Sequence, residues 1–228
     1  MAAVSKTCLV VGGRSSIGSA IMSRFAEADY RILGTTRQHE TADDPQMLTE
    51  DFALFDTSEA SMAQLGSINV AIICTGLLPG KALTDYADDD LTNAFNANIL
   101  VPIRAVRAIA PHLAPKASVL FIGSISGSAG SFDEPYAASK AALAGFVKSL
   151  ARKSTNGVRY NCLAPALIEG STMYEGFARE TVAAHIEQTP TGELITLADL
   201  ANVCFDLCQP HWRALNGQVI DINGGRYV

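Results

Sequence analysis

The chain has 228 residues, of which 48% are apolar, and a formal net charge of −6. It can therefore bury a large core, and it lacks the basic excess that binding to a nucleic-acid backbone requires. No apolar run reaches the roughly 20 residues that a membrane-spanning helix needs, so we expect neither a membrane nor a nucleic acid as partner.

The five cysteines are scattered, three of them in predicted strands. This pattern is typical of reduced, buried thiols in a cytoplasmic protein rather than of a disulfide framework. Cys204 and Cys208 lie one helical turn apart, but this pair alone predicts no metal site.

Strand-like and helix-like segments alternate along the chain. Strands are predicted at 6–11, 30–35, 52–55, 69–74, 117–122, 157–163 and 218–222, and helices at 17–28, 59–65, 89–113, 135–153 and 197–208. Such alternation predicts an α/β fold in which helices cover both faces of a doubly wound parallel sheet of about seven strands. No linker or repeat interrupts it, so we expect a single domain over residues 1–228.

The first predicted strand runs directly into the glycine-rich segment 12–18, and a helical pattern follows. In this order of elements, backbone N–H groups and a helix N-terminus hold the pyrophosphate of a dinucleotide. An ordinary tight turn without a ligand is the alternative. The dinucleotide reading predicts cofactor contacts from Gly12, Arg14, Ser15, Ser16, Ile17 and Gly18.

The end of the second predicted strand, segment 34–37, has no acidic residue to hold a ribose 2′-hydroxyl. An acidic residue there favours NAD, whereas an arginine accommodates the 2′-phosphate of NADP. We therefore expect Arg37, with Arg14, to form a cationic clamp, and NADP(H) to be preferred over NAD(H). The alternative is that Arg37 is only a solvated loop residue.

Tyr136 and Lys140 are four residues apart in a predicted helix, and Ser124 follows the strand that precedes it. Residues at this spacing share one helix face. A lysine ammonium beside a phenol stabilises the phenolate, so we expect the pKa of Tyr136 to lie below its reference value of about 10. Because such pairs also occur by chance, an incidental pair on an exposed helix is the competing interpretation.

Taken together, these motifs resemble the short-chain dehydrogenase/reductase family over about residues 6 to 225. The matching positions are Gly12, Gly18, Asp56, Asn98, Ser124, Tyr136, Lys140, Asn161, Pro165 and the segment 221–225. The resemblance implies a Rossmann-type fold and hydride transfer between NADP(H) and a carbonyl or secondary alcohol.

The resemblance also implies a role for each catalytic residue. Tyr136 would be the acid or base, Lys140 would lower its pKa and bind the nicotinamide ribose, and Ser124 would hold the substrate oxygen. Asn98 would hold a water that links Lys140 to solvent, and a buried asparagine there predicts a local break in the helix 89–113. The remaining cofactor contacts that the resemblance implies are Asp56, Thr75, Gly76 and Pro165.

Several positions depart from the family pattern. Val11 replaces a threonine, Ala166 replaces a glycine, and Ser16 replaces the glycine that lets the backbone approach the pyrophosphate. Ser16 must therefore fit a shifted phosphate or donate its hydroxyl. In segment 73–76, Cys74 and its neighbours lack the polar side chains that normally brace the central strands.

These departures leave two other functions open. One is a cofactor-binding protein with little turnover, acting as a redox sensor or a structural subunit. The other is enoyl reduction, although related enoyl reductases generally space their tyrosine and lysine more widely than Tyr136 and Lys140.

The segment 168–191 takes the place of the family's mobile substrate lid, and segments 77–79 and 131–134 are expected to form the other walls. This mixed surface suits a small carbonyl or alcohol compound. Its acidic residues argue against a heavily anionic substrate such as a carrier-protein thioester. By resemblance, the helices 89–113 and 135–153 pair between subunits, giving a homodimer or homotetramer.

Overall fold

The structure is a computed structural model that describes residues 6–36, 47–49 and 65–227. In these ranges seven parallel strands form one sheet, and two further strands form a separate pair. The strands are β1 Thr7–Val11, β2 Arg31–Thr36, β3 Met47–Thr49, β4 Ile68–Ile73, β5 Leu113–Ile122, β6 Arg159–Pro165, β7 Ile168–Glu169, β8 Ile195–Thr196 and β9 Val219–Ile222. Across the sheet the order is β3-β2-β1-β4-β5-β6-β9, with β7 and β8 paired apart from it.

The helices cover both faces of this sheet, as the alternating pattern predicts. They are α1 Ser16–Ala26, α2 Asp88–Phe95, α3 Val101–Ile109, α4 Ser126–Ala129, α5 Glu134–Arg152, α6 Thr172–Glu175, α7 Arg179–Glu187 and α8 Leu197–Leu207. Side chains of β1 alternate between two cores: Leu9 packs in the cluster that contains α3 and α5 residues, and Val10 packs in the cluster that contains α1 and α8 residues. None of the described helices combines the length and apolar character needed to cross a membrane.

The strand order reverses direction between β1 and β4. From β1 the chain winds outward through β2 and β3, and from β4 it winds the other way through β5 and β6. A ligand crevice opens at such a reversal, outside the carboxyl ends of the strands. The segments that follow β1, β4, β5 and β6 therefore meet at one edge of the sheet.

The described part of the sheet agrees with the predicted strands to within two residues at most ends. The exception is β5, which begins at Leu113 rather than at residue 117. The three-residue strand β3 was not predicted, and the predicted strand 52–55 lies outside the described residues. The predicted helix 59–65 lies outside them as well, except for its last residue.

The long predicted helix 89–113 was wrong at its C-terminal end. It ends at Ile109, because a 3₁₀ turn at Ala110–His112 contains Pro111, which has no N–H to continue an α-helix. It is also interrupted by a π-helical turn at Asn96–Leu100, which confirms the predicted break at Asn98. The short helices α4, α6 and α7 were not predicted.

Candidate active site

The turn after β1 is shaped by two glycines and a serine. Gly12 has a φ of +89°, and a Cβ on Gly18 would lie 2.3 Å from the carbonyl oxygen of Gly12, so no side chain fits at position 18. Ser15 caps α1, since its Oγ accepts from the Gly18 N–H at 3.0 Å and donates to the Gly12 carbonyl at 2.9 Å. The turn therefore packs tightly against the N-terminus of α1, where N–H groups have no partner within the helix.

Ser16 connects this turn to the predicted lid. Its Oγ accepts a hydrogen bond from the backbone N–H of Thr172 at 3.3 Å. Thr172 is the first residue of α6, which lies in the segment 168–191. A hydroxyl at this position thus has a protein partner that the usual glycine would lack, and sequence reasoning did not foresee this contact.

Cys74 braces the central strands despite the missing asparagine. Its thiol donates to the carbonyl oxygens of Val11 at 3.1 Å and Gly12 at 3.4 Å. Burial raises the pKa of Cys74 to about 12, so the thiol keeps the proton that it donates. The expectation that this position loses its polar link between β4 and β1 was wrong, because a thiol is a weak but sufficient donor.

A cavity of about 270 Å³ opens at the carboxyl ends of β1, β4, β5 and β6. The predicted site residues that line it are Ser15, Ser16, Ile17, Thr75, Gly76, Ser124, Tyr136, Lys140 and Pro165. Gly12 and Gly18 shape the turn without being among the lining residues. Arg14 is exposed and does not line the cavity, while Arg37 and Asp56 lie outside the described residues.

One atom of this cavity wall fits a polar ligand directly. The buried Oγ1 of Thr75 has no hydrogen-bond partner within the described part of the chain. An unpaired buried hydroxyl is costly unless something else satisfies it. With the N-terminus of α1 and the close-packed Gly18, it makes the cavity a fitting site for a nicotinamide dinucleotide.

Helix α5 carries Tyr136 and Lys140, and a buried carboxylate fixes its start. Asp133 caps the helix by accepting from the Tyr136 N–H at 2.9 Å. It also accepts from the Tyr86 hydroxyl at 2.7 Å and from the Gly80 N–H at 2.9 Å. Asp133 thus ties the segment after β4 to α5; the sequence had suggested only a place in the substrate wall.

The pKa relation expected between Tyr136 and Lys140 was wrong for this structure. Burial raises the pKa of Tyr136, and a hydrogen bond with Ser124 acts in the opposite direction. The Lys140 Nζ lies 5.8 Å from the centroid of the Tyr136 ring and donates to the Ile122 carbonyl at 3.2 Å. Burial of this ammonium lowers the pKa of Lys140 to about 8. Desolvation of both groups therefore outweighs the attraction that the spacing suggested.

Asn98 is fully buried and clamps the loop after β4. Its amide oxygen accepts from the Leu77 N–H at 2.8 Å, and its amide nitrogen donates to the Leu77 carbonyl at 2.9 Å and to Ser139 Oγ at 3.0 Å. A Cβ on Gly76 would stand 3.2 Å from Lys140 Nζ and 3.4 Å from Asn98 Oδ1. The π-helical turn thus brings Asn98 close to Lys140, as the predicted catalytic set requires.

A second cavity, of about 230 Å³, adjoins the first. Both cavities are lined by Ser124, Tyr136, Ala166, Leu167 and Met173. The hydroxyls of Ser124 and Tyr136 therefore belong to residues at the junction of the two spaces. One cavity suits a cofactor and the other a substrate, with a proton donor where the two would meet.

The walls of the second cavity come from expected and unexpected segments. Phe132 and Phe177 were predicted near the substrate, and their rings meet edge to face at 6.3 Å between centroids. His185, Arg226 and Tyr227 also line the cavity, and sequence reasoning missed them. The available signal was a cation directly after the closing Gly224-Gly225 turn.

The doubly wound sheet, the glycine turn and the two adjoining cavities define a dinucleotide-dependent oxidoreductase. A family model described as enoyl-(acyl carrier protein) reductase matches residues 11–226. The chain belongs to the short-chain dehydrogenase/reductase family, as its motifs indicated. It is therefore an NAD(P)-dependent enzyme of the kind that acts on CH–OH and C=O groups.

Similar proteins match over nearly their whole length. The chain is 28% identical to a 3-oxoacyl-[acyl-carrier-protein] reductase from Vibrio harveyi, with 98% of each chain covered. It is also 28% identical to the short-chain dehydrogenase/reductase FrzI from Cladobotryum, covering 97% of this chain and 96% of the relative. A short-chain dehydrogenase/reductase structure from Brucella melitensis, titled glucose/ribitol dehydrogenase, has a TM-score of 0.91 at 23% identity, covering 98% of this chain and 97% of the other. At that identity the structure supports the fold alone.

Proposed function

We propose that this chain reduces a ketone of a small molecule to a secondary alcohol, with NADP(H) as the cofactor and Tyr136 as the proton donor. The observation that carries the proposal is the position of Tyr136 and Ser124 at the junction of the two cavities. The bound cofactor supplies the hydride, which forms the new C–H bond at the carbonyl carbon.

The residues of the chain then account for the proton and for the charge on oxygen. Ser124 donates a hydrogen bond to the carbonyl oxygen, and Tyr136 transfers its phenolic proton to that oxygen as the alcohol forms. Because burial raises its pKa, Tyr136 carries its proton at neutral pH, as an acid for reduction must. In alcohol oxidation the phenolate of the same residue would act as the base.

Substitution of Tyr136 by phenylalanine tests this assignment. It removes the transferable proton and keeps the ring, so we expect turnover to fall by about a thousandfold or more. NADPH binding should weaken by less than about tenfold, which is the share of one hydrogen bond to the ribose. The rate of NADPH oxidation measures turnover, and fluorescence titration measures NADPH binding. Tyr174→Phe, in the lid helix α6, is the matched control and should keep its activity. Turnover by Tyr136→Phe close to that of the original protein would rule out Tyr136 as the acid.

The choice of NADP(H) over NAD(H) rests on the sequence. Segment 34–37 lacks an acidic residue, and Arg37 with Arg14 supplies two guanidinium groups for a 2′-phosphate. Within the cofactor cavity we assign ribose contacts to Tyr136 and Lys140, and a hydrogen bond to the unpaired Thr75 hydroxyl.

Enoyl reduction is the second candidate, because the matching family model carries that description. The four-residue spacing of Tyr136 and Lys140 opposes it. An NADPH-oxidation panel separates the two when it contains a 3-oxoacyl thioester, the group named in several relatives, and the corresponding 2-enoyl thioester. Saturable NADPH binding without turnover on any ketone, alcohol or enoyl compound would instead favour the redox-sensor alternative.

We further propose a homodimer or homotetramer in the cytoplasm, with one domain per chain. Self-association is supported by the exposed side chains of Phe95, at the end of α2, and Leu100, directly before α3. Light scattering of the purified protein measures the oligomer mass directly.

A further inference from the structure

The substrate cavity has an electrostatic character that the proposed reaction does not require. Among the described residues that line it, Arg226 is the only one with a formal charge at neutral pH, and no carboxylate lines it. Burial and the nearby Arg226 charge lower the pKa of His185, the other titratable base on this wall, so it stays neutral. The cavity that holds Tyr136 and Ser124 thus presents a lone positive charge.

From this arrangement we infer that the substrate is an oxo acid, whose carboxylate is bound by Arg226 while its ketone lies between Ser124 and Tyr136. The inference rests on the proposed ketone reduction and names its substrate class. Nothing in the catalytic set itself calls for an anion, because Ser124 and Tyr136 need only a carbonyl oxygen.

The contacts of Arg226 orient its guanidinium without neutralising it. One terminal nitrogen contacts Nδ1 of His185, and the other donates to Oε1 of Gln188 at 2.6 Å. The guanidinium carbon lies 5.0 Å from the centroid of the Tyr227 ring. All three partners are neutral. A guanidinium has five N–H donors in a planar fork, so several remain for the two oxygens of a carboxylate.

The surroundings strengthen this site. His185 belongs to the same wall, and its Nδ1 contacts the guanidinium of Arg226. The rings of Phe132 and Phe177 line the same cavity, and the Phe177 ring lies 6.0 Å from the His185 ring between centroids. Apolar lining lowers the local dielectric constant and strengthens attraction between a guanidinium and a carboxylate. A single cation also matches the single charge of a carboxylate.

The acidic residues of the lid do not counter this field directly. Glu169, Glu175, Glu180 and Glu187 are exposed, and none of them lines the cavity. The sequence-based argument that lid acids disfavour an anionic substrate was therefore misplaced, because the charge that faces the cavity comes from the turn after β9. That turn and the lid helix α7 meet only in the folded protein.

The test compares matched acids and esters as substrates with NADPH. We would measure kcat/KM for 3-oxobutanoate and 4-oxopentanoate and for the methyl ester of each, and also for the N-acetylcysteamine thioester of 3-oxobutanoate. We expect at least one free acid to exceed its ester by about tenfold or more, since a hydrogen-bonded charge pair contributes at least that much. An ester or thioester that equals or exceeds every acid would overturn the inference.

Two substitutions at Arg226 separate binding from a structural role. In Arg226→Met, kcat/KM for the preferred acid should fall by about tenfold or more beyond the fall for its ester, mainly because KM for the acid rises. Arg226→Lys should restore part of the preference for the acid. Equal losses of kcat/KM for the acid and for the ester would show that Arg226 only holds the lid in position, which contradicts the inference. The wild-type ratio decides the question even if a variant does not fold.

A control removes a guanidinium of the lid that does not line the cavity. Arg179→Met deletes an exposed cation at the start of α7. We expect its preference for acid over ester to match that of the original protein. Absence of NADPH oxidation with every acid, ester and thioester would be a different result, because it would overturn the proposed ketone reduction and the inference with it.

Discussion

Lys140 is a buried charge whose removal should stabilise the protein while ending catalysis. The side chain is 6% exposed, and burial lowers its pKa from 10.5 to about 8. That lowering corresponds to about 3 kcal/mol of unfavourable free energy for the charged form in the native state. Methionine keeps most of the stem but loses the hydrogen bond to the Ile122 carbonyl, at about 1 kcal/mol. We therefore predict that Lys140→Met is more stable by about 2 kcal/mol at pH 7.

The sign of the pH dependence follows from the same pKa values. Below pH 8, Lys140 is charged in both the native and the unfolded state, so its cost is constant. Between about 8 and 10.5 the native state loses the proton first, and the stability of the original protein rises relative to the variant. Above 10.5 the group is neutral in both states and the advantage of the variant is gone. The buried tyrosines titrate in both proteins, so their contributions cancel in the difference. The Lys140 charge lowers the pKa values of Cys74 and Cys162, but burial raises these to about 12 and about 11, above the pH range compared, so this coupling adds little.

Urea unfolding at pH 7 and at pH 10.5, with both proteins side by side, measures this difference. Lys148→Met is the matched control, because Lys148 is exposed on the same helix and should change the free energy of unfolding by less than about 0.5 kcal/mol. A variant that is less stable at pH 7, or a difference that does not change with pH, would refute the reasoning. Either result would mean that the ammonium is stabilised inside the protein rather than tolerated there.

Three further predictions concern the cofactor site. Thr75→Val removes a buried hydroxyl that has no partner in the described structure. The variant should be about 1 kcal/mol more stable without cofactor and should bind NADPH several-fold more weakly. A variant in which stability and NADPH affinity both rise, or both fall, would contradict this. Gly18→Ala places a Cβ 2.3 Å from the Gly12 carbonyl oxygen, so it should lower the free energy of unfolding by more than about 2 kcal/mol. Gly145→Ala, in open space on α5, should raise the free energy of unfolding by about 0.5–1 kcal/mol. Arg37→Ala should weaken NADPH binding at least tenfold more than NADH binding in parallel titrations; equal losses would exclude contact with the 2′-phosphate.

The fold could be predicted from sequence because its information is local. Buried parallel strands such as β4 and β5 contain continuous apolar runs, at 70–73 and 119–122, and the glycine turn marks where the first strand becomes a helix. The three-residue strand β3 and the short lid helices carry too little periodicity to be recognised. The break at Asn98 was predictable for a different reason: an amide that must be buried needs partners that a regular helix does not supply.

The electrostatics of the site could not be predicted in the same way. Spacing placed Lys140 on the same helix face as Tyr136, but the pKa of each group depends on burial, which only packing determines. His185 and Arg226 are 41 residues apart and meet through the fold of the lid onto the closing turn. No local pattern contains that contact, so the charge of the substrate cavity was missed.

Asp133 and Lys140, two buried charged residues in and before the first half of α5, differ in how their hydrogen-bonding groups are used. Asp133 accepts hydrogen bonds from Tyr136 N–H, from the Tyr86 hydroxyl and from Gly80 N–H, so the oxygens of its carboxylate are occupied in positioning the helix. Within the described residues the Lys140 ammonium has a single acceptor, the Ile122 carbonyl, and it lines the cofactor cavity. Two of its three N–H groups are left for a ligand. A buried charge that lowers stability and has unpaired N–H donors is expected where a bound ligand completes its hydrogen bonding. For this reason Lys140→Met should increase the stability of the protein and decrease its activity.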